Sequence, residues 1–357
     1  MKTKRKKLLR TVIISVICTV ICFSVVSLLI INHYFGEVFS RSELTRYTPY
    51  IRYENIKDEI PRYEISFKSG ENTLKGNVYG NGGKGLLFAV HGLNSNEEET
   101  MDVIHYFCKK GWTVLAYNHS GCFTSGGENQ KGLAQSLIDL DAALTFCEND
   151  ERLKNLPKVL FGHSMGGYAV CSVLNFNHDI KAVASFSGYN TPYEELCFFV
   201  RKFVGDVFAV TQYPFMWIYN KLLFGDMADI SAVDGINKAD VPIMIVHGNN
   251  DTIVPHDSAG IISHKEQITN TNVRYVLRTE EILNTHTKVI YSGNAAEYSE
   301  EADKKLDMLQ DKYSDEIPEN ELKAYYESLD KFRMSELDEE IFDNINRMFE
   351  QAIADNN

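Results

Sequence analysis

The chain predicts an α/β fold, a mainly parallel central sheet with helices on both faces, and three observations lead there. From Arg62 onward helical and strand-like segments alternate, the order that gives parallel strands joined by crossover helices. The run Gly85-Leu86-Leu87-Phe88-Ala89-Val90 is continuously apolar, as expected of a strand buried on both faces. Lastly, Gly162-His163-Ser164-Met165-Gly166 lies between a short apolar strand, Val159-Leu160-Phe161, and an apolar helical run over 167–174. A strand that turns so abruptly into a helix needs small flanking residues, and it lifts the central side chain clear of the sheet edge.

Taken in order, residues 1–10 form a basic tip with six positive charges: Lys2, Lys4, Arg5, Lys6, Lys7 and Arg10. Residues 11–31 then run for 21 positions without a charge. As a helix they would reach about 30 Å, the thickness of a bilayer core. That is longer than a cleaved signal's apolar region, and no Ala-x-Ala follows, so the segment reads as an uncleaved transmembrane signal anchor. The positive-inside rule keeps the N-terminus cytoplasmic and sends the rest across the cell membrane as a single-pass protein. Residues 32–61, with Pro49 and Pro61, read as a stalk, and 62–357 as one domain. Within it, Tyr63, Ile65, Phe67, Leu74 and Val78 alternate as in a hairpin over 62–79. Helices at 100–110 and 133–147 alternate with strands at 113–117, 158–161 and 182–186.

Two segments exceed the alternating pattern. Residues 189–235 carry 11 aromatics in 47 positions, about double the 11% of the chain, and are expected to form a lid. Phe199 and Trp217 are the candidate substrate contacts in it. Residues 295–357 hold 19 acidic and 7 basic residues, which is nearly all of the chain's net charge of −13. An acidic helical insertion is expected at 295–333. A final helix at 335–353 shows a packed stripe of Leu337, Ile341, Ile345, Met348 and Phe349. So acidic a surface excludes nucleic acid as a partner.

A serine at the tip of such a turn is a candidate nucleophile, and the N–H of Met165, opening the helix, is placed to bind an oxyanion. The acid should follow a later strand. Residues 241–248 form that strand, and Asp251 lies in the polar loop leaving it. Three histidines follow Asp251. His256 and His264 fall in a helical segment directly after the acid loop, whereas a strand at 272–277 separates His286 from it. His286 is therefore the candidate base, with His264 in reserve. The second oxyanion donor should follow an early strand, where His91-Gly92-Leu93 offers the N–H of Leu93. His91 itself reads as a brace for that loop.

These motifs together resemble the α/β-hydrolase superfamily, within it the serine-aminopeptidase and monoacylglycerol-lipase-like group. The resemblance rests on His91-Gly92-Leu93, on Gly162-His163-Ser164-Met165-Gly166-Gly167, and on His247-Gly248 leading to Asp251 and Pro255. One stretch departs. Where many relatives carry Asp-x-Arg-Gly-x-Gly-x-Ser, this chain has Asn118-His119-Ser120-Gly121-Cys122-Phe123-Thr124-Ser125. The resemblance implies an α/β-hydrolase fold with a helical lid, and a membrane-anchored serine hydrolase acting on a small-molecule or lipid acyl substrate. Aminopeptidase and acyltransferase activities use the same triad, and a non-catalytic surface binding protein is the rival of another class. No cofactor and no metal is expected, since the cysteines form no Cys-x-x-Cys or Cys/His cluster. The glycosylation sequon Asn250-Asp251-Thr252 would place a glycan on the acid loop, which favours a bacterial surface protein over a eukaryotic secretory one.

Overall fold

The computed structural model describes residues 2–314 and 316–355. Helix α1 (Lys2–Val38) precedes a hairpin of β1 (Arg62–Ser69) and β2 (Asn72–Tyr79). There follow β3 (Leu86–Val90), α2 (Met101–Lys109), β4 (Thr113–Tyr117), α3 (Gln135–Asn149), β5 (Lys158–His163), α4 (Met165–Ser172) and β6 (Ile180–Phe186). Helices α5 (Pro192–Val204), α6 (Asp206–Phe224) and α7 (Ala232–Lys238) interrupt the alternation before β7 (Ile243–Gly248) and β8 (Val273–Arg278). The chain closes with α8 (Gly293–Tyr313), α9 (Glu319–Glu327), α10 (Lys331–Met334) and α11 (Glu339–Ala354).

All eight strands form one sheet in the order β1-β2-β4-β3-β5-β6-β7-β8. From β4 to β8 every neighbour pair is parallel, while β1–β2 and β2–β4 are antiparallel. All five residues of β3 are buried, because helices cover both faces of the sheet. One face packs α3, α4 and α7 over Phe88, Leu115, Leu160 and Ile245. The other packs α2 and α11 over Leu87, Phe161, Phe186 and Val246. Asp338 caps α11 by accepting from the N–H of Ile341. From that helix Phe342 reaches the sheet, its ring 5.8 Å from Phe161 and 5.6 Å from Phe186.

Sequence and structure differ in three places. The apolar helix does not stop at residue 31 but continues to Val38. Its second half has a packed stripe, with Ser27, Ile31 and Phe35 buried, and Phe39 is buried in the turn that follows. The spacing of four residues puts the three helical positions on one helix face, and the face lies against the domain. The segment after it is no free stalk. It is strapped along the domain by buried Ile51, Ile56 and Ile60, and by hydrogen bonds pairing Ser42 with Gly121 and Phe123. Its apolar residues recur too often for an exposed spacer. The region after Asp251 forms only a 3-10 segment, Ile261–Gln267, where a helix was expected.

Among the described residues, α1 is the one helix long and apolar enough to cross a membrane. The cysteines are all free thiols, and in α3 and α4 Cys147 and Cys171 are buried as small apolar side chains.

Replacing Phe342 by Ala would leave a cavity where α11 meets the sheet. The expected loss is about 3–5 kcal/mol of folding stability. A denaturant titration of wild type and Phe342→Ala checks it, and a loss under 1 kcal/mol would mean that the site collapses to fill the space.

Candidate active site

Ser164 sits between β5 and α4 with φ 57° and ψ −119°, a conformation that residues with a side chain seldom adopt. Its N–H donates to Phe186 O at 2.8 Å, tying the turn to the neighbouring strand. Glycine permits the close approach on either side. A Cβ on Gly162 would lie 2.3 Å from Gly166 O, and one on Gly166 would lie 2.1 Å from Val90 O. The turn and the end of β3 are thus in backbone contact. The loop leaving β3 lies against Ser164, for a Cβ on Gly92 would come within 3.6 Å of Ser164 Oγ. Leu93 follows directly, and Met165 opens α4, where the first amides have no intrahelical acceptor. Ser164 Oγ makes no hydrogen bond to any described residue and is partly open to solvent.

Asp251 lies in the loop leaving β7, and its carboxylate is buried. His286 Nδ1 is 2.8 Å from Asp251 Oδ2. Oδ1 accepts from the N–H groups of Ile253 and Val254, both at 2.9 Å. His247, at the end of β7 and fully buried, brings Nε2 within 3.3 Å of Oδ2 while donating to Val254 O at 2.8 Å. Burial alone would raise the pKa of Asp251. The hydrogen bonds and charge of His247 and His286 outweigh it and hold the carboxyl well below the usual range. A charged Asp251 fixes the N–H of His286 on Nδ1 and leaves Nε2 free for a proton from a hydroxyl. His264 instead faces Glu194 of α5, Nε2 to Oε2 at 3.5 Å.

A second network braces the loop of Gly92 and Leu93. His91 Nε2 accepts from the N–H of His119 at 3.1 Å, and Nδ1 lies 2.8 Å from Gly92 O. The tautomer that satisfies both contacts is neutral with its proton on Nδ1, and burial pushes His91 well below the ordinary histidine range. His119 in turn leans on Asp139, which is fully buried and takes hydrogen bonds from Ser69, Ser120 and Gln135. Asn118 accepts from the N–H of Glu97 at 3.0 Å and donates to Thr124 at 3.1 Å. This departing stretch therefore holds the loop without the Asp and Arg that many relatives use.

Four contributors have no sequence signal of their own. His163, inside the elbow motif, meets His286 O through Nε2 at 2.8 Å and so positions the loop of the base. Gln130, a buried loop residue, accepts from the N–H of Asn94 at 3.0 Å beside Leu93 and donates to Ser40 O at 2.8 Å. It thereby connects the oxyanion loop to the end of α1. Glu195 of α5 is 1% exposed with neither carboxylate oxygen hydrogen-bonded. Burial and then the charge of Asp251 push it well above the usual carboxyl range. Phe198 lines a cleft of about 580 Å³ between α5 and the acid loop, together with Arg201, Lys202, Asp251 and Pro255. Of the two expected substrate contacts, Phe199 is half-buried beside Phe198 and Trp217 stands 47% exposed on α6. Neither lines that cleft.

The sheet and the elbow define the α/β-hydrolase fold. Residues 82–214 match the family model described as serine aminopeptidase, S33. The matched segment contains Leu93 and Ser164 and ends before Asp251 and His286. An uncharacterised protein of Bacillus subtilis, YqkD, is 24% identical over 210 residues, 57% of this chain. The match takes in 66% of that relative, just under two thirds of its length. The Pyrococcus furiosus esterase Pf2001 has a similar structure, with a TM-score of 0.54 at 17% identity over 77% of this chain and 97% of that one. An α/β hydrolase from Vibrio vulnificus gives 0.51 at 17% identity, over 69% and 84% of the two chains. At these identities the structural likeness is one of fold.

Burial, followed by repulsion from His286, lowers His163 from its ordinary 6.5 to about 4. The unfolded chain then takes up a proton near pH 6.5 that the folded chain refuses until about pH 4. Stability from this group is complete above pH 6.5 and falls as the pH drops toward 4. Thermal midpoints at pH 7 and pH 5 should therefore separate less in His163→Gln than in wild type. Equal separations would remove His163 from the account.

Proposed function

We propose that this chain is a membrane-anchored serine hydrolase that cleaves ester or related acyl bonds. The observation that carries the reading is the convergence, at one edge of the sheet, of a strained Ser164, the Asp251–His286 pair at 2.8 Å and the glycine loop against Ser164. In the proposed reaction Ser164 Oγ attacks the acyl carbonyl while His286 Nε2 takes its proton. Asp251 stabilises the imidazolium that results. The N–H groups of Leu93 and Met165 bind the oxyanion. His286 then protonates the leaving group, and water releases the acyl enzyme by the same route.

An apolar acyl chain or an aromatic ester suits the aromatic α5–α6 hairpin, with Phe199 and Trp217 as proposed contacts. The esterase among the structural relatives accords with this choice. The description of the matching family favours a second reading, cleavage of an aminoacyl amide through the same triad. Helix α1 is proposed to hold the chain in the cell membrane, basic tip inside and catalytic domain outside, because its charges gather at one end of an uncharged stretch.

A fluorophosphonate probe should label the wild-type protein and not Ser164→Ala, since the phosphorus is captured by a working nucleophile alone. On an activated short-chain ester, His286→Ala should lose nearly as much turnover as Ser164→Ala, a fall of several orders of magnitude. His264→Ala should stay within about threefold of wild type, because triad members act as a unit and His264 lies outside it. The reverse pattern would move the base to His264. Comparing kcat/KM on ester and aminoacyl-amide series decides between the two substrate readings.

A further inference from the structure

The corner between α5 and α6 carries an apolar surface that no described part of the chain covers. Phe203 is 73% exposed and Val207 90%, and Val204, Phe208 and Val210 stand out beside them. The hairpin that bears this corner is docked on α1. The ring of Phe215 meets Phe23 edge-on at 5.7 Å, and the ring of Tyr219 meets Phe35 at 4.7 Å. The Tyr219 hydroxyl also donates to Asn32 Oδ1 at 2.8 Å.

The pairing has a direction. Going back along α6 from Tyr219 to Phe215 goes back along α1 from Phe35 and Asn32 to Phe23. Residues that precede Phe215 therefore lie level with the part of α1 upstream of Phe23. Phe23 is eight residues inside Ile31, where the uncharged stretch ends; along a helix that is about 12 Å. The corner thus falls at the depth of the uncharged stretch, and its side chains have the matching chemistry. Its charges are managed locally. Arg201 and Asp206 pair with each other at 2.9 Å, and Lys202 turns back to donate to Thr252 O at the acid loop.

We propose that the α5–α6 corner is immersed in the lipid bilayer beside α1, so that the hairpin flanking the acid loop is a second, shallower membrane contact. The proposal rests on the reading of α1 as the membrane span, and it adds that the hairpin, too, has lipid as its solvent. A hydrophobic substrate dissolved in the bilayer would then meet this face of the enzyme without passing through water. The rival occupant of the same surface is a second copy of the chain.

The chain has two tryptophans, Trp112 and Trp217, and Trp112 is fully buried in the core with its indole bonded to Asn346. The test uses full-length protein in phosphatidylcholine vesicles with and without bromine on the acyl chains. The probe is the double variant Trp217→Phe/Phe208→Trp, which moves the exposed tryptophan to the corner. Bromolipid should quench the corner emission at least twofold, with aqueous iodide nearly without effect, and Trp217→Phe alone should show neither response. Native Trp217 gives a parallel reading from α6 without any substitution at the corner. Quenching by iodide and not by bromolipid, in protein that floats with the vesicles, would overturn the proposal and leave the anchor standing. Protection from both quenchers together with a cross-linked dimer would assign the surface to a second copy and overturn it too. Protein that fails to float would refute the anchor itself, and the proposal with it.

Discussion

The strained backbone of Ser164 is the constraint around which the molecule is organised. Holding a side-chain-bearing residue at φ 57° and ψ −119° costs on the order of 1–3 kcal/mol, and a flexible loop would relax it. Here three backbones are pressed together: the turn itself, the end of β3 and the first residues of α4. A methyl group on Gly162 or Gly166 would overlap a carbonyl of a neighbouring segment. Those contacts are fixed in turn by parallel pairing of β3 with β5 and β5 with β6, and by cores on both faces of the sheet. Ser164 is therefore placed by the rigidity of the sheet rather than by hydrogen bonds of its own side chain.

Two buried carboxylates divide the electrostatic task between the halves of the site. Asp251 is satisfied by imidazoles and two backbone amides, and it orients His286. Asp139 is satisfied by hydroxyls, an amide side chain, a backbone N–H and His119, and it orients the loop of Leu93 at one remove. Neither has an arginine or lysine among its hydrogen-bond partners, so each charge is spread over several weak donors whose positions must all be right. Glu195 is the contrast. With no donor in reach and Asp251 nearby, its carboxyl is pushed toward the protonated form, and a neutral acid is what a dry helix interface tolerates.

Much of this was legible in the sequence because it is local. The Gly162–Gly166 pentapeptide carries its turn in its own glycines, and β3 and β7 show their two-sided burial as unbroken apolar runs. Chain order was enough to separate His286 from His264, which the structure places on Asp251 and Glu194 respectively. What could not be read depends on segments far apart in the chain meeting in space. Gln130 looks like any loop glutamine until Asn94 and Ser40 are brought to either side of it. Residues 32–61 read as a spacer in sequence because their apolar residues have no period, and their burial comes from the surface they lie on. The region after Asp251 has helical composition, but its 3-10 form is set by packing against β7 and α7.

The placement of α11 bears on the order in which the protein can be made. Trp112 bonds to Asn346, and Phe107 packs its ring 5.9 Å from Phe349, so one face of the central sheet is roofed by a helix that follows all eight strands in the chain. Until α11 arrives, Leu87, Phe161, Phe186 and Val246 form an apolar sheet face without that helix as its cover. Contacts so distant in sequence form slowly, and open apolar faces invite aggregation. The geometry therefore imposes a wait on the nascent domain, whose unfinished sheet keeps one apolar face open until residues 339–354 have been made.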